Sequence, residues 1–330
     1  MIPPIPMSRL VIVLSAVALV AACKTEKTTP QDTSHPAGAP GAASAAPADT
    51  ASARKLGVLA QMKTPESAHY DADLDVWFVS NINGNPSQHD GNGYIVRVPA
   101  ESTTTVTMFA EGGKNGVRLD APKGIATTAD QLWVADIDAV RVFDKRTGKP
   151  LKTISLKAQK ATFLNDIAVG SDSAVYITDT GIVFDAKGNM THPGVNRIFR
   201  IAIADNKVTE AATGDSLENP NGITWDASGG RFLLAPFGGK DVQSWTPGKA
   251  PTKVADGPGQ YDGIEVLRDG RILVSSWADS SVYFYAPSHG MLMKLVSGVS
   301  APADIGVDTK RGVLAIPRFD QNQVEFWKLP

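Results

Sequence analysis

The feature of this sequence that most constrains its fold is a short segment that occurs six times. In each copy a polar or small residue at the third position comes shortly before isoleucine or alanine, and a second apolar run follows. The six copies open at Thr64, Ala121, Phe163, Asn219, Gln260 and Ala301. Two more β-rich runs follow most copies, which makes four strands per unit. Repeated four-stranded units are typical of the blades of a β-propeller.

The two ends of the repeat region complement one another. The sixth copy runs out one strand short, at the run 323–329, whereas residues 55–61 form a β-rich run that belongs to no copy. We therefore predict an all-β protein, a six-bladed β-propeller over residues 55–330, in which the N-terminal strand completes the last blade. Closure of this kind leaves only short edges exposed. A β-sandwich is the alternative, but it does not account for the six copies.

The segment before the repeats has a different composition. Its apolar run 10–20 is shorter than the roughly 20 residues that a membrane-spanning helix needs, and is typical of a signal peptide. The junction Val20-Ala21-Ala22-Cys23 resembles the lipobox of bacterial lipoproteins. That resemblance implies a signal peptide over 1–22, lipidation of Cys23 and a flexible Ala/Pro/Ser/Thr-rich tether over 23–54. An ordinary signal peptide with a chance cysteine, or a cytosolic start with a buried thiol, remains an alternative.

The expected location follows from that junction. Lys24 is not the aspartate that the lipoprotein resemblance associates with retention in the inner membrane. We therefore expect the protein in the cell envelope, on the periplasmic side of the outer membrane, held to the membrane only through its lipid. Cys23 is the only cysteine, which excludes a disulfide framework and a thiolate metal site.

Charge and composition narrow the range of partners. The chain has 32 Lys and Arg against 34 Asp and Glu residues, and it contains no basic run. A nucleic-acid binder needs a basic face, so this class of function is excluded. We expect a monomer whose partner is a small-molecule substrate or ligand.

The third position of the six copies carries the candidate chemistry. Its residues are Glu66, Lys123, Asn165, Asn221, Asp262 and Ala303. The first strand of each propeller blade lines the central channel, so these residues are predicted to meet at its mouth. Four of them offer oxygen atoms, which Ca²⁺ prefers in sets of about 6–8. We predict one divalent cation, with Ca²⁺ as first choice and Mn²⁺, Mg²⁺ or Zn²⁺ as alternatives; its open positions suit catalysis.

Further residues and two alternatives belong to this prediction. We expect the ends of the second strands to form an outer shell around this ring; these residues are Asn81, Asp136, Asp179, Ser276 and Arg318. Against a metal, Asn221-Gly222 and Asp262-Gly263 are also common turn dipeptides. In a second alternative to a metal, Lys123 pairs with Glu66 and the ring side chains fill the channel as a polar plug.

At these positions the sequence resembles the regucalcin–gluconolactonase family of six-bladed propellers, over essentially all of residues 55–330. The resemblance implies that Glu66, Asn221 and Asp262 bind one divalent cation, and that Asp262 also acts as the catalytic base. It implies that Asn165 contacts the substrate and sometimes the metal. The implied activity is hydrolysis of a lactone or ester. We take Asn165 and Lys123 as the candidate substrate-binding residues.

Two departures from that family limit the substrate. Ser67-Ala68 follows the glutamate where the family usually has Gly-Pro, and Phe163 stands where its lactonases often have arginine. A sugar acid is therefore less well accommodated. The alternative function is a non-catalytic, metal-stabilised propeller that binds a ligand or a protein. The loops 81–93 and 185–195 distinguish the two, because closed lids favour hydrolysis and a flat rim favours binding.

Overall fold

The computed structural model describes residues 52–330. The predicted signal peptide, the lipidated Cys23 and nearly all of the tether lie outside the described residues. Within them, six four-stranded antiparallel sheets follow one another along the chain. The predicted all-β, six-bladed propeller is therefore confirmed.

The first three blades follow the opening strand β1 (Arg54–Leu59). Blade 1 consists of β2 (Pro65–Asp71), β3 (Val76–Asn81), β4 (Tyr94–Pro99) and β5 (Thr107–Glu111). Blade 2 consists of β6 (Pro122–Thr127), β7 (Gln131–Asp136), β8 (Ala139–Asp144) and β9 (Pro150–Ser155). Blade 3 consists of β10 (Leu164–Val169), β11 (Ala174–Asp179), β14 (Arg197–Ala202) and β15 (Val208–Thr213), and carries a separate hairpin of β12 (Val183–Phe184) and β13 (Met190–Thr191).

The other three blades complete the ring. Blade 4 consists of β16 (Pro220–Asp226), β17 (Arg231–Pro236), β18 (Asp241–Trp245) and β19 (Thr252–Asp256). Blade 5 consists of β20 (Tyr261–Val266), β21 (Ile272–Ser276), β22 (Ser281–Tyr285) and β23 (Leu292–Ser297). Blade 6 has β24 (Gly306–Asp308), β25 (Val313–Arg318) and β26 (Gln323–Lys328), with β1 as its outer strand. The only helical turns in this part of the chain are 3-10 turns at Lys157–Gln159 and Asp215–Leu217, and none of its helices is long and apolar enough to cross a membrane.

The N-terminal strand closes the ring, as predicted. β1 pairs antiparallel with β26, from Arg54 opposite Lys328 to Leu59 opposite Val324. The backbone N–H of Thr64 also donates to Oδ1 of Asn322 at 2.7 Å. A β-sandwich would not produce this pairing, so that alternative is wrong.

The hydrophobic core lies between neighbouring blades. Strand residues alternate between the two faces of each sheet, and every sheet buries both faces against the next blade. Trp77 of blade 1 packs against Phe326 of blade 6, with 5.7 Å between the ring centroids. Tyr176 of blade 3 lies 4.4 Å from Phe232 of blade 4 by the same measure. This stacking fixes the angle between blades and hence where the innermost strands meet.

Glycine allows the innermost strands to approach closely. A Cβ on Gly222 would lie 2.2 Å from the carbonyl oxygen of Asp262, and one on Gly263 would lie 2.3 Å from the backbone nitrogen of Ile305. Neither glycine has a positive φ, and both lie inside strands. The interpretation of Asn221-Gly222 and Asp262-Gly263 as turn dipeptides is therefore wrong. The glycines are there because the next blade leaves no room for a side chain.

Candidate active site

The predicted ring residues meet at one mouth of the channel. Glu66, Lys123, Asn165, Asn221 and Asp262 all line a single cavity of about 120 Å³. Each of these residues is buried, with 1% to 5% of its surface exposed. Ala303, at the sixth position, is also buried and offers no polar side-chain atom. The structure therefore brings together all five polar residues singled out in the sequence.

A repeated irregularity of the innermost strands turns these side chains towards the channel. In each of the first five blades the register between the first and second strand shifts at the ring residue, for example between Pro65 and Ala68 and between Tyr261 and Ile264. Such bulges leave residues out of the ladder and redirect their side chains, and they are common next to active sites. Glu66 and Asp262 are among the residues that the shifts leave unpaired.

Three oxygen atoms of the ring are left without hydrogen bonds. Within residues 52–330, Oε2 of Glu66, Oδ1 of Asn165 and Oδ1 of Asp262 are buried and have no hydrogen-bond partner. Burying an acceptor in this way costs about 1–3 kcal/mol unless something else satisfies it. Carboxylate and amide oxygens are the ligands that Ca²⁺ prefers. The donor set present here therefore fits a hard divalent cation.

The orientation of Asn165 is fixed by a hydroxyl group. Thr180 Oγ1 donates its proton to the carbonyl oxygen of Pro220 at 2.8 Å. It can then only accept from Asn165, whose Nδ2 lies 3.0 Å away. Because the amide nitrogen points to Thr180, Oδ1 is the atom left free. The free atom of Asn165 is thus an acceptor, as a cation ligand must be.

Amide oxygens are essential to any such site. Over the described span 52–330, no three His, Cys, Asp or Glu side chains are grouped so as to hold a metal ion by themselves. Two carboxylates, of Glu66 and Asp262, supply the charge, and a cation would need Asn165 and Asn221 to complete its ligands. Such an oxygen-rich set without imidazole or thiolate suits Ca²⁺ better than Zn²⁺.

Burial makes the charged forms of the ring carboxyls costly. Burial, followed by the negative charges of Asp262 and Asp304, raises the pKa of Glu66 well above its usual value. Burial and the charge of Asp304 likewise raise the pKa of Asp262, although the nearby Trp277 and Asn221 oppose the shift. A bound cation would favour the ionised forms and reverse these shifts.

Lys123 takes a different role from the one that the polar-plug alternative requires. Its ammonium group donates to the carbonyl oxygen of Ala121 at 3.1 Å and lies 4.2 Å from the ring centroid of Phe163. It makes no direct ion pair with Glu66, whose Oε2 remains free. Burial lowers the pKa of Lys123 to about 8, against the opposing attraction of Glu66. Lys123 therefore neither plugs the ring nor neutralises Glu66 through a hydrogen bond.

The predicted outer shell is wrong. Asn81, Asp136 and Asp179 accept hydrogen bonds from backbone N–H groups that precede the first strand of their own blade, at 2.9, 2.7 and 2.8 Å. Ser276 donates to the carbonyl oxygen of Gly259, and Arg318 donates to Glu325. These side chains hold loops in place, and none of them lines the cavity.

In five of the six blades, the residue one position beyond the end of the second strand lines the cavity instead. Residues that directly follow the second strands line the cavity, namely Ile82, Thr180, Phe237, Trp277 and Phe319. Successive residues of an extended chain point to opposite sides, so a step of one residue turns the side chain from the loop to the channel. Sequence reasoning missed this set, although four of its five residues are apolar and stand at one position of the repeat, which was a usable signal.

The two loops named in the sequence meet at the cavity. Nδ2 of Asn85 donates to the carbonyl oxygen of Asp185 at 2.7 Å, and the N–H of Phe184 donates to Oγ of Ser87 at 2.9 Å. Pro86 and Phe184 both line the cavity. Blade 1 and blade 3 are thus joined by hydrogen bonds at the mouth of the cavity.

The contact between Thr180 and Asn165 leads to a prediction. Thr180→Val keeps the side-chain shape but removes the hydroxyl that orients the amide of Asn165. We expect the affinity for Ca²⁺ to fall by about tenfold, as is usual when a group that orients a ligand is lost. Calorimetric titration measures this. The matched control is Thr127→Val, at the opposite cavity beside His69; an unchanged affinity in Thr180→Val would mean that Asn165 does not ligate a cation.

The sequence matches one family model. The model of the SMP-30/Gluconolactonase/LRE-like region matches residues 64–305. A search of curated proteins finds no significant match.

Solved structures show the same fold at low sequence identity. A gluconolactonase from Xanthomonas campestris is 16% identical with a TM-score of 0.62, over 84% of this chain and 95% of that one. The calcium-binding protein regucalcin from Agrobacterium tumefaciens is 14% identical with a TM-score of 0.62, over 83% and 93%. A streptogramin B lyase is 12% identical with a TM-score of 0.57, over 84% and 97%. At such identities these neighbours establish the fold, and a lyase among them shows that the fold serves more than one chemistry.

Proposed function

Since the chain belongs to the SMP-30/gluconolactonase/LRE-like family, we propose that it is a divalent-cation-dependent hydrolase of a lactone or another carboxylic ester. The observation that carries the proposal is the set of three unsatisfied, buried acceptor oxygens on Glu66, Asn165 and Asp262. They face a cavity that two loops enclose. The names of the neighbouring gluconolactonase and calcium-binding regucalcin agree with both parts of the proposal.

Each polar residue of the cavity has a proposed role in hydrolysis. Glu66, Asn165, Asn221 and Asp262 would hold the cation, which when bound polarises an ester carbonyl and acidifies a water molecule. Asp262 accepts the proton as water adds to the acyl carbon, and returns it to the alkoxide when the C–O bond of the ester breaks. The products are an acid and an alcohol, joined in one molecule when the substrate is a lactone. Lys123 places positive charge near the newly formed carboxylate, and Asn165 orients the substrate.

The location remains part of the proposal. We propose that a monomer is held by an acyl group on Cys23 on the periplasmic side of the outer membrane, with residues 24–54 as the tether. The apolar run 10–20 and the junction Val20-Ala21-Ala22-Cys23 support this. Mass spectrometry of the membrane fraction would detect the acyl group, and a soluble periplasmic protein with an unmodified Cys23 would contradict it.

A titration and a turnover assay test the proposed function. We expect chelator-treated protein to bind Ca²⁺ at one site per chain by calorimetry, with Mn²⁺, Mg²⁺ and Zn²⁺ as comparisons. Hydrolysis of lactones and esters should then appear on addition of the cation and disappear with chelator. If no cation binds, the ring is not a metal site and the proposal is wrong. If a cation binds but no lactone or ester is hydrolysed, the non-catalytic alternative is correct.

A further inference from the structure

The cavity has a polar floor and apolar walls. Its polar lining residues are the five ring residues and Thr180. The walls consist mainly of large hydrophobic side chains, including Phe163, Ile182, Phe184, Phe237, Trp277 and Phe319. Charged and amide groups are thus confined to one end of the site, where the proposed reaction takes place.

The aromatic side chains stand on both sides of the mouth. Phe163 and Phe184 belong to blade 3, with 5.8 Å between their ring centroids. Phe237, Trp277 and Phe319 follow the second strands of blades 4, 5 and 6, and their neighbouring centroids lie 5.9 and 5.4 Å apart. In a ring of six, blade 3 stands opposite blade 6. A ligand that enters the mouth therefore meets aromatic surface from several directions.

Few polar side-chain atoms of the cavity remain available to the remote part of a ligand. The hydroxyl of Thr180 is already engaged with Pro220 and Asn165. The ammonium of Lys123 is engaged with Ala121 and the ring of Phe163. Among the described residues, the buried side-chain acceptors of the cavity without a partner belong to the ring residues Glu66, Asn165 and Asp262, and Nε1 of Trp277 is a buried donor without a partner. Several hydroxyl groups of a sugar would therefore lose water without gaining partners, which is unfavourable.

From this arrangement we propose that the site takes an ester or lactone whose non-reacting part is an apolar, ring-sized group, an aryl or short alkyl group rather than a polyhydroxylated sugar. The inference rests on the proposed function for the reacting part and on the walls for the remainder. The volume of this cavity, about 120 Å³, is somewhat below the roughly 150 Å³ of an apolar protein cavity that binds benzene, so it limits the non-reacting part to one small group. Burial of apolar surface supplies the affinity.

The binding of two small carboxylate ligands tests whether the walls prefer an apolar group, and it does not depend on turnover. Phenylacetate and gluconate both present a carboxylate to the floor, but only one carries a polyol. We expect the Ca²⁺-loaded protein to bind phenylacetate at least tenfold more tightly than gluconate by calorimetry. Equal or tighter binding of gluconate would overturn the inference.

Turnover gives a second comparison. We expect kcat/KM for dihydrocoumarin, an aromatic lactone, to exceed that for glucono-δ-lactone by at least tenfold. If glucono-δ-lactone is hydrolysed as fast or faster, the substrate class is wrong although the proposed function is correct. If neither is hydrolysed while phenylacetate still binds more tightly than gluconate, the proposed function fails and the apolar site remains.

Two substitutions, one in the cavity wall and one outside it, show whether the wall causes the preference for phenylacetate over gluconate. Phe184→Asn places an amide in the wall on the half-buried hairpin, and we expect it to reduce the preference for phenylacetate over gluconate at least fivefold. Met291→Asn makes a similar change at a residue that is 59% exposed and lies outside the cavity, and should leave the preference unchanged. An unchanged preference in Phe184→Asn, or an equal loss in both variants, would contradict the assignment.

Discussion

Asp262→Asn is expected to abolish Ca²⁺ binding and to lower kcat/KM for any lactone or ester by at least a hundredfold. The substitution keeps the size of the side chain but removes one of the two carboxylates that face the cavity, together with the proposed base. A cation at a hundred times its Kd stabilises a protein by about 2.7 kcal/mol, and this increment should disappear. A hundredfold loss corresponds to about 2.7 kcal/mol of transition-state stabilisation, within the several kcal/mol that a catalytic metal supplies.

In the absence of a cation, Asp262→Asn should make the protein more stable than the parent protein. Oδ1 of Asp262 is buried without a hydrogen-bond partner among the described residues, and the pKa of this carboxyl is raised by burial and by Asp304. Without a cation at pH 8, where this carboxyl is ionised in the unfolded chain, asparagine removes the cost of burying the carboxyl and should stabilise the fold by about 1–3 kcal/mol. Chemical denaturation measures both changes. Glu265→Gln, on the same strand but at the other cavity, is the control for Ca²⁺ binding only, which it should retain; retained Ca²⁺ binding by Asp262→Asn would exclude Asp262 as a ligand.

The metal-free protein should become less stable as the pH rises from 6.5 to 8. Burial, and then the charge of Asp304, raises the pKa of Glu265 to about 8. Burial raises the pKa of Asp304 to about 7, although Ser67 donates to it. In the unfolded chain both groups are ionised by pH 6.5, so the folded state binds more protons over this interval. Its stability is therefore lost as the pH passes the folded pKa values.

The size of this loss of stability follows from how far the pKa of Glu265 is raised. Each pKa unit is worth about 1.4 kcal/mol, so Glu265 alone accounts for a loss of about 2 kcal/mol between pH 6.5 and 8 at most. Burial lowers the pKa of His69 to about 4, which places its effect below this interval. The lowered pKa of Lys123, about 8, acts above it and with the opposite sign.

Glu265→Gln isolates this contribution. Glu265 lines the cavity of about 230 Å³ at the other end of the channel, three residues along β20 from Asp262. Denaturant titrations in chelator at pH 6.5 and 8 should show a smaller loss of stability in the variant than in the parent protein. An equal loss in both would mean that Glu265 is already ionised in the folded state at pH 6.5.

The repeat in the sequence was sufficient to predict the ring and the residues on its floor. Six copies at similar spacing leave one arrangement in which equivalent positions meet, so Glu66 and Asp262 could be placed together although they are far apart in sequence. The dipeptide Asn221-Gly222 was ambiguous, because local composition does not reveal how closely the next blade approaches. That distance depends on packing between whole sheets, and only the structure provides it.

The side-chain directions at the second strands could not be predicted in the same way. A strand end is uncertain by one residue or more, and an error of one residue turns the side chain to the opposite side. The expected outer shell therefore fell on Asp179 rather than Thr180, and on Ser276 rather than Trp277. The orientation of Asn165 was equally out of reach, since it depends on a hydroxyl from the neighbouring strand. The departure at Phe163 agrees with the apolar substrate class proposed above, which the binding of phenylacetate and gluconate tests.

Pairing of β1 with β26 has a consequence for how the protein is made. The hydrogen bond from Thr64 to Asn322 joins residues that are 258 positions apart, and such distant contacts form slowly because a long loop must close first. During synthesis β1 emerges early and remains an unpaired strand until Gln323–Lys328 has been translated. A nascent chain that stops before β26 therefore carries two exposed strand edges, at β1 and at β25. The edges of β1 and β25 are therefore covered only when β26 is present. A truncated product keeps them exposed to chaperones, proteases and other unpaired strands.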